Sequence, residues 1–470
     1  MVSVSGSANA PAPAASAEAA ATVSAPAARP AERLGRRLAQ GALVEAVGFG
    51  TQQLLRFGSN LLLTRLLFPA AFGLMAMLSL VLYGLIMLTD VGLLQAVVRS
   101  ERGDDPVFLD TAWTIQAMRG ALLWGIAAAL AWPMAVLFRE PVLLQMIPVG
   151  SASVFIHGLA STRVFTLRRR IRPLPIVGME LGAQALSVAT MIGLSWAGLG
   201  VWSLVVGHLV MATALTAGSH LLPGTHRERF RIEPAARQEI ARFGRWIFAS
   251  SAMTFVAGRS DQLVVGRLLG AAGLGLYNIG LGLAEMPEAL AGRVVAGILY
   301  PLYARVHNER PRELGAVFYR TRLPFDGLAH TALGGLAGLA PWLIHFLYDQ
   351  RYAGAIPVLQ LLALRTAVGL AATPCETALV AVGRSELGFQ RNLAVAVGTL
   401  VLMPVGHHLG GVAGLLWGST LARAAALAVL WPAARRHGIL RLRREVLVLA
   451  FLAVGYALGW GLACVLPARH

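Results

Sequence analysis

The sequence predicts an all-α, multi-pass membrane protein with about thirteen transmembrane helices. Apolar residue types make up 56% of its 470 residues and charged types only 13%, whereas soluble domains average roughly 25% charged residues. The mean hydropathy is +0.65, and apolar runs close to the ~20 residues that span a bilayer follow one another along the chain. So few charges cannot cover the surface of a water-soluble protein of this length. A soluble enzyme, a fibrous protein and a disordered chain are therefore excluded.

The apolar runs predict two lobes of six spans each, followed by one extra span. In chain order the segments are a disordered, Ala/Pro/Ser-rich cytoplasmic tail (1–37), an N-terminal lobe (38–222), a basic inter-lobe loop (223–242), a C-terminal lobe (243–434) and a basic loop with the extra helix (435–470). The predicted spans are 43–67, 73–98, 110–137, 141–162, 174–197, 199–222, 243–269, 273–300, 323–347, 355–382, 392–409, 411–432 and 446–466. The expected range is 12–14 spans, because the last run is the one where a re-entrant turn is easiest to miss.

The positions of the arginines predict the orientation of the chain. All 40 basic residues are arginine, and the formal net charge is +17. With the predicted spans, 29 arginines fall in the N-terminal tail and the even-numbered loops, and five fall in the odd-numbered loops and the C-terminus. Cytoplasmic loops carry the excess of basic residues, so the N-terminus is expected in the cytoplasm and the C-terminus in the periplasm. The arginines do not alternate with exposed aromatic residues as in a nucleic-acid groove, so no nucleic-acid partner is expected.

The chain contains an internal repeat. Shifting the sequence by 202 residues aligns 61–74 with 263–276 at seven identities in fourteen positions, and it places Gly73 on Gly275. A shift of 211 aligns 200–207 with 411–418. Each pair is separated by six spans, an even number, so the two lobes have the same orientation. This predicts a pseudo-two-fold axis along the membrane normal, with the working site between the lobes.

Charged side chains within the spans mark the candidate site. A charge at the bilayer centre costs about 2.5–3.5 kcal/mol on insertion scales, so such residues normally face a wet cavity or a partner. The intramembrane arginines are Arg56, Arg119, Arg259, Arg293, Arg365 and Arg423. The carboxylates are Glu45, Glu180, Asp261, Glu285, Glu288 and Glu376, with Asp90 and Asp326 closer to the cytoplasmic boundary. Helical spacing puts Gln52, Arg56 and Asn60 on one stripe of the first span. Asp261 and Glu285 lie on polar faces of spans seven and eight, which predicts one shared central cavity.

Several segments resemble bacterial Wzx-type polysaccharide flippases of the multidrug/oligosaccharidyl-lipid/polysaccharide exporter superfamily. They are RLLFPAAFGLMAM at the first turn, DVGLLQAVVR (90–99), RVFTLRRR (163–170), GLGVWSLV (198–205), RFGRWIFASS (242–251), DQLVVGRLLGAAGLGLYNIG (261–280) and ILYPLYARV (298–306). The resemblance runs from about residue 38 to 435. It implies a V-shaped transporter of the bacterial inner membrane that moves undecaprenyl-diphosphate-linked sugar units to the periplasmic leaflet. It also implies functional coupling to a polysaccharide polymerase and to glycosyltransferases.

A diphosphate substrate gives the intramembrane arginines a chemical role, because guanidinium groups bind phosphate oxygens bidentately. We expect Arg56 and Arg259 to be the main phosphate ligands, followed by Arg293 and Arg365, with Gln52 and Asn60 lining the same cavity. Asp261, Glu285 and Glu288 are candidates for ion coupling. The alternative for each of these charges is a structural ion pair with a neighbouring helix.

Enzymatic functions find little support in the sequence. It has no Walker-type glycine loop, GxSxG elbow or HExxH motif. Cys375 and Cys464 lie in apolar runs, which predicts neither a metal site nor a cofactor. Three other functions stay open: a lipid II flippase, a cation-coupled drug exporter of the same superfamily, and an O-antigen polymerase or ligase. The polymerase or ligase is the least favoured, because the odd-numbered loops are short and hold only five arginines.

Overall fold

The computed structural model describes residues 30–87, 93–224 and 226–466, with the side chains of 30–39, 240–253, 442–444 and 446 left out. The described residues are nearly all helical and form no strand. The helices are α1 (Pro30–Leu66), α2 (Pro69–Met87), α3 (Leu93–Arg99), α4 (Pro106–Phe138), α5 (Leu143–Gly158), α6 (Arg163–Arg169), α7 (Leu174–Trp196), α8 (Val201–Leu221), α9 (Pro234–Val294), α10 (Tyr300–Glu309), α11 (Leu314–Leu347), α12 (Ala355–Ala381), α13 (Glu386–Arg436) and α14 (Leu442–Val465). A π-helical turn, Val295–Leu299, joins α9 to α10. Each predicted span overlaps helical residues.

Nine helices in the described ranges are long and apolar enough to cross a membrane, and a bent pair formed by α5 and α6 raises the number to ten. Two of the nine, α9 and α13, each contain two predicted spans. Their helical conformation is interrupted at Gly270, with φ 67° and ψ −169°, and at Gly411, with φ 58° and ψ −140°. Glycine reaches positive φ without steric cost, so the chain reverses there. The total of thirteen spans stays a prediction.

The first residues of α1 differ from the prediction. The sequence predicts a disordered tail that ends at residue 37, but α1 begins at Pro30. Proline suits the first turn of a helix, because the N–H it lacks would have no intrahelical partner there. The rest of the predicted tail, 1–29, lies outside the described residues.

The internal repeat has a structural counterpart at the ends of the lobes. Gly200 and Gly411 are related by the shift of 211, and both adopt the same backbone conformation, with φ 56° and ψ −129° at Gly200 and φ 58° and ψ −140° at Gly411. In both cases the glycine lies at the start of the sixth predicted span of its lobe. This agreement supports the alignment of 200–207 with 411–418.

The two lobes meet where α2 crosses the second half of α9. A side chain at Gly73 would collide with the carbonyl oxygen of Ala271, and one at Gly275 would collide with that of Pro69. The shift of 202 that relates Gly73 to Gly275 also relates Pro69 to Ala271. Gly73 meets Ala271, and the residues equivalent to these two, Gly275 and Pro69, also meet each other. Such a reciprocal contact is characteristic of a two-fold interface. It supports the predicted pseudo-two-fold axis.

The inter-lobe loop is held against α4. The backbone N–H of Arg229 donates to Asp110 at 2.9 Å, and that of Arg231 donates to Thr114 at 3.0 Å. The ring of Phe230 lies 4.7 Å from that of Trp113, centroid to centroid. Helix α9 begins at Pro234, within the predicted loop of 223–242. The segment between the lobes is thus a strap fixed to the N-terminal lobe.

The last helix, α14, packs against α11 through small residues. Cβ atoms at Gly334 and Gly338 would collide with backbone atoms of α14, and Cβ atoms at Gly455 and Gly459 would collide with backbone atoms of α11. Each helix therefore contributes two glycines four residues apart, which lets the two backbones touch. The extra helix is an integral part of the C-terminal lobe.

Candidate substrate cavity

Two adjoining cavities occupy the interior of the protein. One, of about 960 Å³, lies within the N-terminal lobe among helices α1 to α8. The other, of about 520 Å³, lies between the lobes and is lined by α1, α2 and α9. Arg56, Ser79 and Tyr83 line both cavities. Arg56 therefore stands at the passage from one cavity to the other.

The cavity between the lobes is lined by polar residues of predicted spans one, seven and eight, but the acidic members of the predicted polar faces do not line it. Arg56 and Asn60 come from α1, whereas Arg259, Gln262 and Asn278 come from α9. The described residues that line this cavity include two arginines and no carboxylate. The cavity therefore has a positively charged wall.

The two arginines of this cavity have no salt bridge within the described ranges. Arg56 is exposed, although it lies inside a predicted span. Arg259 lies with its guanidinium carbon 5.4 Å from the centre of the Tyr83 ring. An arginine over an aromatic ring keeps its N–H groups available at the edge of the guanidinium plane, since the contact uses the face. Both side chains can therefore bind an anion.

Amide groups complete the wall of the cavity. The Gln262 side chain donates to the Asn278 oxygen at 3.0 Å. The Asn278 nitrogen and the Asn60 oxygen are buried, and neither has a hydrogen-bond partner among the described residues. Buried polar atoms are nearly always paired in folded proteins, so an unpaired donor and acceptor at a cavity wall suit a polar ligand or water.

Arg365 and Asp261 form an ion pair beside the cavity. The Arg365 guanidinium lies 2.9 Å from the Asp261 carboxylate and donates to the Tyr277 hydroxyl at 2.8 Å. That hydroxyl donates to the same Asp261 oxygen at 2.7 Å. Both charged side chains are less than one-tenth exposed. The alternative of a structural pair thus fits both residues better than the roles of phosphate ligand and ion-coupling group.

The other candidate residues are distributed along α9. Arg293 is exposed, and its guanidinium carbon lies 3.8 Å from the centre of the Phe49 ring on α1. Glu288 lies 3.7 Å from Arg423 of α13. Glu285 is half-buried and forms no salt bridge with any residue the structure describes. Arg293 and these two carboxylates are outside the lining of the two cavities.

The cavity of the N-terminal lobe contains Gln52, which the sequence predicts in the substrate cavity, and several polar residues that sequence reasoning did not assign to a site. Gln52 donates to Glu180 of α7 at 3.0 Å, and Arg119 donates to the Ile86 carbonyl at 2.8 Å. The Nε2 atom of His208 on α8 lies 3.1 Å from the Ser153 hydroxyl on α5. Gln184 follows Glu180 by one turn of α7, and both residues line this cavity. This spacing of two polar residues within an apolar span could have predicted the polar face of α7 from the sequence.

The lobes also touch at the end of the molecule predicted to be periplasmic. The Tyr352 hydroxyl, on the connection between α11 and α12, donates to the Leu67 carbonyl at 2.8 Å. Arg351 donates to the Arg65 carbonyl at 2.9 Å and to Asp349 at 2.8 Å. The hydrogen bond from Arg351 lowers the pKa of the Asp349 carboxyl. This connection joins the C-terminal lobe to the turn between α1 and α2, directly beside the glycine contact of α2 and α9.

Three further charged residues named from the sequence are Glu376, Asp90 and Arg322. Glu376 shares a helix face with Arg365 but pairs with Arg391 of α13. Asp90 lies outside the described residues. The sequence assigns Arg322 to a cytoplasmic loop, and this assignment is wrong, because Arg322 lies within α11 and is only 2% exposed. Helix α11 begins nine residues before the apolar run that predicted it.

Sequence comparisons place the chain among proteins of polysaccharide synthesis. The family described as "polysaccharide biosynthesis protein" matches residues 62–357. The succinoglycan biosynthesis transport protein ExoT of Rhizobium meliloti is 25% identical over 367 residues, which are 77% of this chain and 73% of ExoT. The lipopolysaccharide biosynthesis protein WzxC of Escherichia coli is 25% identical over 199 residues, which are 42% of this chain and 39% of WzxC.

Structural comparisons show the fold of known transporters. The lipid II flippase MurJ in an inward closed conformation superposes with a TM-score of 0.66 at 11% identity, covering 90% of this chain and 98% of MurJ. An inward-facing multidrug resistance transporter of the MATE family also has a TM-score of 0.66, at 15% identity, covering 82% of this chain and 94% of the transporter.

Proposed function

The chain belongs to the polysaccharide biosynthesis protein family, and from this premise we propose that it flips lipid-linked oligosaccharides across the bacterial inner membrane. The substrate is an undecaprenyl-diphosphate-linked sugar unit, which moves from the cytoplasmic to the periplasmic leaflet. The unit then enters the synthesis of a surface polysaccharide such as O-antigen, exopolysaccharide or capsule. The protein acts as a transporter, with the bilayer and the lipid-linked sugar as its partners, and neighbouring glycosyltransferases and a polymerase supply and consume the unit.

The observation that carries this proposal is the pair of arginines in the cavity between the lobes. Arg56 and Arg259 line one cavity from helices of different lobes, with no carboxylate among the described lining residues. A diphosphate offers acceptor oxygens on two phosphates, and an arginine on each side can bind them with bidentate hydrogen bonds. The unpaired amides of Asn60 and Asn278 suit the hydroxyl groups of a sugar.

The same observation favours a lipid-linked anion over a cationic drug. A site for cationic compounds needs negative charge, because an unpaired positive wall repels them at close range. A drug exporter is therefore the weaker candidate, although it would share the fold. A lipid II flippase would bind the same diphosphate. Deletion of the gene distinguishes the two functions, because loss of a lipid II flippase would stop cell-wall synthesis and loss of the proposed flippase would stop synthesis of the surface polysaccharide.

Transport is proposed to occur by alternating access of the two lobes. In the present arrangement the lobes touch through Gly73, Gly275 and Tyr352. The arginine bias assigns this end to the periplasm. If the lobes separated at this end and closed at the cytoplasmic side, the cavity would become accessible from the periplasmic leaflet instead of the cytoplasmic leaflet. Of the three acidic candidates for ion coupling, Glu285 is the one we retain, because Asp261 and Glu288 are engaged with Arg365 and Arg423.

Deletion of the gene tests the proposed function. We expect surface polysaccharide to fall to the background of the assay and the pool of undecaprenyl-diphosphate-linked units to rise several-fold, because synthesis continues on the cytoplasmic side. Lipid extraction followed by mass spectrometry measures the pool, and complementation with the native gene is the control. Loss of cell-wall synthesis instead of surface polysaccharide would identify a lipid II flippase.

Cysteine labelling tests the proposed orientation. Gln350 and Arg227 are both exposed, one at each predicted side of the membrane. In a Cys464→Ser background, Gln350→Cys should react with an impermeant thiol reagent in intact cells. Arg227→Cys should react only after the cells are permeabilised. Labelling of Arg227→Cys in intact cells would reverse the orientation and the direction of transport.

A further inference from the structure

A second group of charges lies in the C-terminal lobe, away from the substrate cavity. Its centre is Arg322 of α11. The Arg322 guanidinium donates to Asp326 at 2.7 Å and to the two oxygens of Glu445 at 2.8 and 2.6 Å. It also donates to the Ala371 carbonyl of α12 at 3.0 Å. The group therefore joins α11, α12 and α14.

Among the side chains that the structure describes in this group, the negative charges outnumber the positive one. Arg322, Asp326 and Glu445 are 2%, 3% and 8% exposed. One guanidinium faces two carboxylates, so the three side chains carry a net charge of −1 when all are ionised. An uncompensated charge in the interior is strongly destabilising, so a bound proton or a nearby cation has to balance it.

His330 can supply the missing charge by binding a second proton. Its Nδ1 lies 2.9 Å from the Asp326 carbonyl oxygen, and its Nε2 lies 3.0 Å from the Ala367 carbonyl oxygen. Carbonyl oxygens only accept hydrogen bonds, and a neutral imidazole has a single N–H to donate. With two protons the ring satisfies both carbonyls, and the net charge of the group becomes zero.

A second observation points to the same group. The Asp326 Oδ1 atom is buried, has no hydrogen-bond partner among the described residues and lies 4.0 Å from His330 Nδ1. This unpaired oxygen faces the ring that would carry the additional positive charge. Electrostatic attraction across this distance favours the doubly protonated ring, because little water screens it in the interior.

Among the described residues beside the cluster, Tyr319, Cys375 and Tyr303 are neutral at pH 7, which is below the ordinary pKa values of tyrosine and cysteine, whereas Arg365 and the exposed Arg441 are charged. The Tyr319 hydroxyl donates to Glu445 at 3.2 Å, and Cys375 of α12 lies 3.5 Å from Arg322. Tyr303 of α10 pairs with Thr321 at 3.0 Å. Arg365 is two residues before Ala367, but its charge is engaged with Asp261.

Water can reach the cluster from one side. A cavity of about 290 Å³ between α11 and α14 is lined by Tyr319, Arg322, Asp326 and Glu445. A volume of this size holds several water molecules, since one occupies ~30 Å³ in the liquid. Water in this cavity would contact Asp326 and Glu445, through which a proton can be exchanged with the surroundings.

We propose that Arg322, Asp326, His330 and Glu445 form a proton-binding site in which His330 carries the proton, and that α14 completes the site by contributing Glu445. The proton comes from water and returns to it, and no bond other than N–H is formed. Loss of the proton removes one of the two hydrogen bonds of His330, which include the bond to α12. Its use in transport rests on the proposed flippase function, whereas binding of the proton does not.

Nitrogen-15 NMR of the purified protein in lipid vesicles tests the proposal, because ring nitrogens of neutral and doubly protonated histidine have different chemical shifts. The signal of His330 is identified by its loss in His330→Gln. At pH 7 we expect a doubly protonated His330 in the native protein. In Glu445→Gln and Asp326→Asn one carboxylate is gone, so His330 should be singly protonated at the same pH. His345→Gln, which changes an exposed histidine of the same helix, should leave the His330 signal unchanged.

Two results would overturn the proposal: a singly protonated His330 in the native protein at pH 7, or a doubly protonated ring in both carboxylate variants. Asp326→Asn keeps the contact between Arg322 and Glu445, so it remains informative if Glu445→Gln releases α14. The NMR measurement requires no transport. A failure of the flippase proposal would therefore leave its result unaffected.

Discussion

Replacing Arg56 by alanine is expected to reduce transport to background while the protein still inserts and folds. Arg56 is exposed in the passage between the two cavities, and it forms no salt bridge with the residues that the structure describes. Its removal therefore leaves no buried charge without a partner, and stability should change little. Arg56→Lys should recover only part of the activity, because an ammonium group lacks the planar fork that binds two phosphate oxygens.

Restoration of surface polysaccharide in the deletion strain measures this effect, with the amount of membrane-inserted protein as the reference. The matched control is Arg65→Ala, which changes an exposed arginine of the same helix outside both cavities. Arg259→Ala should reduce transport in the same way from the other lobe.

The alternative, a structural role for Arg56 with a carboxylate such as Glu285, makes a different prediction. Under that alternative the double variant Arg56→Ala/Glu285→Gln would regain transport, since both partners of the pair would be gone. We expect the double variant to be as inactive as Arg56→Ala. Near-normal transport by this variant would contradict the role of Arg56 as a ligand.

Gly73→Ala is expected to cause a comparable loss of transport for a different reason. The new methyl group would collide with the carbonyl oxygen of Ala271, and Gly275→Ala would collide with that of Pro69. A backbone carbonyl within a helix cannot move aside as a flexible side chain can. The lobes would therefore be unable to close at this end. Alanine favours a helix over glycine by about 1 kcal/mol, so each helix itself should still form.

Disulfide cross-linking checks the closure separately from transport. Phe68 and Arg351 lie on opposite sides of the contact, with the Arg351 guanidinium carbon 4.7 Å from the centre of the Phe68 ring. The yield of the Phe68→Cys/Arg351→Cys cross-link in the otherwise native protein is the reference, and the addition of Gly73→Ala should lower it several-fold. Gly58→Ala and Gly282→Ala are the controls, because a methyl group at either position meets no atom of the described residues within 4 Å. Normal transport and cross-linking by Gly73→Ala would refute the gating role of this contact.

The sequence was sufficient to predict the class of fold and the shared stripe of Arg56 and Asn60 on the first helix. Periodicity within a helix determines which residues share a face, so the spacing of Arg56 and Asn60 alone assigns them to one stripe. The repeat aligned Gly73 with Gly275 but predicted no contact there, and the structure shows both glycines at the contact of α2 with α9.

The partners of the charged residues could not be predicted in the same way. Asp261 is two residues from Arg259 in sequence, yet it pairs with Arg365 of α12. Which helices are neighbours in space depends on packing between distant segments, and periodicity within one helix contains no information about it. The choice between Arg259 and Arg365 as ligands therefore required the tertiary structure.

Arg322 shows a second limit of sequence reasoning. It is adjacent to the start of an apolar run, in a segment rich in arginine, and such residues usually face the cytoplasm. Glu445 likewise precedes the last apolar run. The two residues are 123 positions apart, and only the docking of α14 against α11 brings them together. Buried pairs between the ends of distant helices leave no local pattern in a sequence.

The location of the accumulated lipid-linked units in the deletion strain tests the central claim most directly. Exposure of intact spheroplasts to an impermeant enzyme that modifies the sugar reports which leaflet holds the units. The flippase function predicts that the accumulated units are protected, and that they become accessible when the native gene is restored together with a block in polymerisation. If single units in the deletion strain are already accessible from the periplasmic side, flipping does not need this protein, and a polymerase or ligase function would replace the one proposed.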